Sequence, residues 1–103
     1  MNEDKTIEQL SALITKDFSL EQSEVPVLTH SYDALRTHVI RVVKNMLDHN
    51  FSLLLTALYR IDVSEQKVKE TLAVADPSKM AEILADLILE REMAKVLTRQ
   101  KYK

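Results

Sequence analysis

Asp76-Pro77-Ser78-Lys79-Met80-Ala81-Glu82-Ile83-Leu84-Ala85-Asp86-Leu87-Ile88-Leu89-Glu90-Arg91 is the stretch that decides the fold. Asp76 is a natural N-cap residue, and the fixed φ of Pro77 suits the first helical position. Beyond them Glu82, Asp86 and Glu90 recur at every fourth position, a spacing that only a helix turns into one stripe. Nearly everything else over 80–89 is apolar. The pattern predicts a helix from Pro77 to about Gln100, covered on most sides by other helices.

The rest of the chain agrees. None of the 103 residues is glycine, where average usage would give roughly seven. Hairpin turns, bulges and phosphate-cradling loops depend on glycine, so its absence argues for helices joined by short connections. It also removes the glycine-rich nucleotide motifs and the nucleophile elbow.

Upstream of Asp76 four more helices are readable. Ile7, Leu10, Ile14 and Phe18 share one face over 6–18, with Thr6 and Gln9 spaced as a capping box. Residues 19–27 form the one linker, since Pro26 turns Val25 away from helical backbone. Over 32–49, Leu35, Val39, Val42 and Met46 make an apolar file with Ile40, Val43 and Leu47 beside it. Asn50 either ends that helix or caps the next. The helix of about 51–61 leaves only Ser52, Thr56 and Arg60 polar, so it too is expected to be buried on most sides. A fourth helix runs to about Val74. Its start is either an Asp62–Glu65 capping box or a Ser64 N-cap with Val63 and Val68 as a hydrophobic staple.

These readings define an all-α fold: one domain, 1–103, with a compact bundle of four main helices over 28–103 plus the N-terminal helix. There is no cysteine, hence no disulfide, thiolate metal site or thiol nucleophile. The N-terminus is acidic and lacks an apolar run, so no secretory signal is expected, and a run as short as Leu53-Leu54-Leu55 cannot span a bilayer. A cytoplasmic protein without a membrane partner is the expectation.

Candidate chemistry is sparse. The stripe Glu82, Asp86 and Glu90 lacks the Glu-x-x-His pairing of a di-metal bundle, and reads as a solvated face. His30, Ser31 and Asp33 form a local cluster, but serine before an acid is ordinary helix-start composition. His38 borders a polar face, and His49 has no histidine at metal-binding spacing. No catalytic residue, metal ligand or cofactor is expected. Arg91 follows Leu84 by seven residues, so it projects from an apolar side and needs a carboxylate; Asp62 and Glu65 are the candidates.

Charge is polarised along the chain. Residues 1–24 carry six acids and two bases, whereas 91–103 carry five bases and one acid. Lys95, Arg99, Lys101 and Lys103 form a basic end that suits a helix C-terminus and is the one candidate anion or nucleic-acid contact. A sequence pI near 5.9 argues against nucleic acid as the main partner.

Leu58-Tyr59-Arg60-Ile61-Asp62-Val63, Ala85-Asp86-Leu87-Ile88-Leu89-Glu90-Arg91 and Thr98-Arg99 resemble small bacterial all-helical proteins. The resemblance covers the chain from Asn45 onward. It implies a bacterial cytoplasmic protein and brings no activity to carry over.

The functional expectation is a non-enzymatic protein–protein interaction module, an adaptor or regulatory subunit, that pairs with itself and with another protein. The alternative is a nucleic-acid-associated regulator acting through the basic end. Two helices with narrow polar stripes cannot both be central in so small a bundle. The expected dimer interface is therefore the last helix, through Leu89, Met93, Val96 and Leu97, unless the N-terminal helix folds over that face.

Overall fold

The computed structural model describes residues 3–18, 31–74 and 76–101, with side chains omitted at 3, 4 and 74. Five helices account for 92% of the described residues, and no strand occurs among them. In chain order they are α1 (Glu3–Asp17), α2 (Tyr32–His49), α3 (Phe51–Ile61), α4 (Glu65–Val74) and α5 (Pro77–Lys101). The linker expected at 19–27 lies outside the described residues, as do His30, Tyr102 and Lys103.

Side chains fix most of the helix ends. Ser31 accepts from the Ala34 amide and starts α2, with Asp33 in the first turn. Asn50 serves two helices: its amide donates to the Met46 carbonyl, and its Oδ1 accepts from the Leu53 amide. Ser64, rather than Asp62, begins α4, because its Oγ faces the Lys67 amide at 3.4 Å. Asp76 accepts from the Ser78 amide ahead of α5.

One junction demands a left-handed residue after all. Asp62 ends α3 at φ 68, ψ 46, the only positive φ among the described residues. Its amide bonds to Leu58 and Tyr59, and the Val63 amide returns to the Leu58 carbonyl. This is the usual helix-ending turn, with aspartate where glycine is commonest.

α5 packs against each of the other four helices. Its Leu84, Ala85, Ile88 and Leu89 are fully enclosed, together with Leu35 and Val43 of α2, Leu54 and Ile61 of α3, and Leu10 of α1. A fully buried side chain of the Leu or Ile kind contributes about 1.5–3 kcal/mol. α1 runs antiparallel to α5: Thr6 and Gln9 meet Gln100, while Asp17 lies beside Glu92 and Lys95.

Two expectations are corrected. α1 already includes Glu3, so Thr6 and Gln9 lie inside it and form no capping box; both accept from Gln100 Nε2, at 3.2 and 2.8 Å. α3 is not buried on most sides. Only Leu54, Ala57, Leu58 and Ile61 face inward, while Phe51, Leu53, Leu55 and Tyr59 remain exposed. One helix can be central in a bundle of this size, and α5 holds that place.

Candidate functional site

Phe51, Leu55 and Tyr59 stand at i, i+4 and i+8, so α3 turns them to one side. Phe51 and Leu55 are each 42% exposed and Tyr59 is 89% exposed. Thr56, next to this file, donates its hydroxyl back to the Ser52 carbonyl at 3.0 Å. Arg60 donates to the main-chain carbonyl of Asp17 at 3.3 Å, which ties the end of α3 to α1. Phe51 also borders a hollow of about 310 Å³ lined by Leu47, Leu72, Pro77 and Met80, with Lys44 and Asp48 at its edge. Two aromatic rings and a leucine on one open helix face suit a protein contact.

The last-helix residues expected in an interface are placed differently. Leu89 and Val96 belong to the chain's own core, and Met93 is partly buried against it. Leu97 alone of the four is exposed. The reason is α1, whose Ile7, Leu10, Leu13 and Ile14, with Phe18 just after it, are all buried in the same cluster. The N-terminal helix supplies the cover that the sequence left undecided.

Among the expected ion pairs, Arg91 does reach Asp62, with Nη2 3.5 Å from Oδ2. Both groups are exposed, so the pair is not the buried one that the helix position suggested. Glu65 turns instead to Lys69, at 3.7 Å within α4. Glu82, Asp86 and Glu90 are exposed as read, and Asp86 receives Arg36 of α2 in two parallel bonds of 2.7 and 3.0 Å. Among the described residues, no three His, Asp or Glu groups are arranged to hold a metal ion. No described helix is long and apolar enough to cross a membrane.

The basic end is divided. Lys95 is drawn inward, its Nζ lying 3.9 Å from Asp17 Oδ2 and 3.9 Å from Glu92 Oε2. Arg99 and Lys101 are exposed. Arg99 shares with Lys16 the rim of a groove of about 430 Å³ between α1 and α5, floored by Leu13 and Val96.

Sequence reasoning missed the carboxyl pair that Lys95 turns toward. Glu92 has no solvent exposure at all, and Asp17 is buried beside it. Burial pushes the Glu92 carboxyl up from 4.5 to about 8, helped by the neighbouring Asp17 carboxyl; Lys95 and Arg99 act in the opposite sense. The signal was present in the spacing. Glu92 continues the buried file Leu84, Ile88 on the same side as Val96, and Asp17 follows Leu10 and Ile14 on α1.

Compared with protein-family models, curated proteins and solved structures, the chain matches none. The resemblance to small bacterial helical proteins therefore carries no family assignment.

Proposed function

We propose that this protein is a small non-enzymatic interaction module that pairs with a second copy of itself through the outer face of α3. The open file of Phe51, Leu55 and Tyr59 is the observation that carries the reading. Monomers seldom leave contiguous apolar patches larger than a few hundred Å² uncovered. The file contains no charged residue that would select an oppositely charged partner. Two-fold pairing places the same apolar file on both sides, the commonest arrangement in homo-oligomers. An adaptor or regulatory role would then be carried by the paired form.

Sedimentation equilibrium from micromolar to millimolar chain concentration tests this. The unmodified protein should approach twice the chain mass, and Leu55→Glu should hold it at 11.8 kDa with unchanged helical circular dichroism. A mass of 11.8 kDa throughout for the unmodified chain would sink the reading.

A further inference from the structure

Glu92 poses a physical problem that the packing of α1 on α5 does not solve. Both of its carboxyl oxygens are enclosed, and neither has a hydrogen-bond partner among the described residues; Asp17 Oδ2 is in the same position. Burying such a group without partners is costly, and more so when it is charged. Lys95 does not repair this, because 3.9 Å is beyond hydrogen-bonding distance. Two ionised carboxylates cannot help each other either, since neither has a proton to donate.

The charges around the pair point to one solution. Asp17 comes from α1, Glu92 and Lys95 from α5, and Arg99 stands further along α5. From α3, Arg60 reaches the main-chain carbonyl of Asp17. Lys95 lies within 4 Å of both acids, and its ammonium balances one negative charge. With both acids ionised, Asp17, Glu92 and Lys95 together carry an excess negative charge. With one proton retained they are neutral, and the missing hydrogen bond can form.

We propose that Glu92 and Asp17 share a single proton across the α1–α5 seam, and that losing it loosens α1 from α5. In the closed form the Glu92 hydroxyl donates to Asp17. Removal of that proton by solvent base leaves two facing carboxylates, which repel and draw water into the seam. At the other end of the seam Gln100 donates to Thr6 and Gln9, a contact made by groups that do not titrate near neutral pH. The device is a proton-operated clasp at the Asp17 end of α1. Opening it uncovers the apolar residues of α1 together with their neighbours on α5.

The test is a carbon-13 titration of the Glu92 side-chain carboxyl in the unmodified protein, paired with amide hydrogen exchange of α1 at pH 7 and pH 9. Glu92 should titrate near pH 8, far above an ordinary glutamate. Protection of the α1 amides, corrected for the intrinsic pH dependence of exchange, should fall by about tenfold or more between the two pH values. Glu92→Gln keeps a donor toward Asp17 and cannot ionise, so its α1 protection should be the same at both. A Glu92 carboxyl titrating near 4.5 in the folded protein would overturn the proposal, whether or not the variant folds. So would an equal loss of α1 protection in Glu92→Gln.

Discussion

Arg91 Nη2 lies 3.5 Å from Asp62 Oδ2, and the Asp62 backbone is the one left-handed residue among those described. Aspartate thus has two roles at the α3–α4 junction, a side-chain ion pair and a backbone turn, and their sizes differ. The side chains are 43% and 82% exposed, which puts the pair in the class worth less than about 1 kcal/mol. A left-handed backbone costs an ordinary residue about 1–2 kcal/mol, and aspartate tolerates it better than most. Arg91→Ala should therefore change stability in urea by less than about 1 kcal/mol. Asp62→Val should cost more, while Asp62→Gly should be nearly neutral, because relief of strain offsets the added freedom of the unfolded chain. If Arg91→Ala proves the more damaging, the ion pair rather than the turn is what the position needs.

The two sides of α3 differ sharply in what they contribute. Leu54 is fully enclosed, whereas its neighbour Leu55 stands half open on the outer face. Leu54→Ala should cost about 2–5 kcal/mol, in the range for leucines truncated in packed cores. Leu55→Ala should cost the isolated chain well under half as much, yet weaken self-association. Denaturant midpoints at low and high protein concentration separate the effects: Leu54→Ala lowers both, and Leu55→Ala mainly removes the concentration dependence.

Helix positions were legible because their signals are local. Ser31, Asn50, Ser64 and Asp76 sit where composition places caps, and four of the five helices match their sequence-read spans closely. What the sequence did not decide was how much of α3 the other helices would cover. α3 and the 80–89 segment carry the same stripe of every-fourth polar residues, and only their places in the bundle tell them apart. Thr6 and Gln9 show the same ambiguity: as a pair they read as a cap, yet both accept from a residue some ninety positions away. Glu92 was hidden by its charge, since a carboxylate on an apolar file ordinarily belongs to the next polar stripe.

Gln100 gathers the far end of α1 by donating one amide nitrogen to both Thr6 and Gln9. Deleting the donor removes both of these bonds across the α1–α5 seam. Gln100→Ala should cost about 1–2 kcal/mol, with faster amide exchange in the first turns of α1. Unchanged exchange there would show that apolar packing alone holds this end.

The carboxyl pair makes a prediction about stability that does not depend on how far α1 moves. Glu92 holds its proton more tightly in the folded chain, pushed from 4.5 to about 8 chiefly by burial. Between these values the folded chain keeps a proton that the unfolded chain has given up. The contribution of Glu92 is therefore fully present below about pH 4.5, declines as pH rises through that window, and levels off above about pH 8. Asp17→Leu with Glu92→Met removes both acids and leaves Lys95 free to extend toward solvent along its aliphatic stem. Replacing enclosed ionisable groups by apolar ones of similar size is often neutral or stabilising, so the double variant should at least equal the unmodified protein at pH 8. Glu92→Met alone leaves Asp17 enclosed with only the distant Lys95, and should be the less stable variant. The two substitutions should then be non-additive by about 0.5–3 kcal/mol, as for residues in direct contact. Urea denaturation at pH 5 and pH 8 measures this: the unmodified chain should lose stability between the two pH values relative to the double variant, and an equal loss in both would place the titrating group elsewhere.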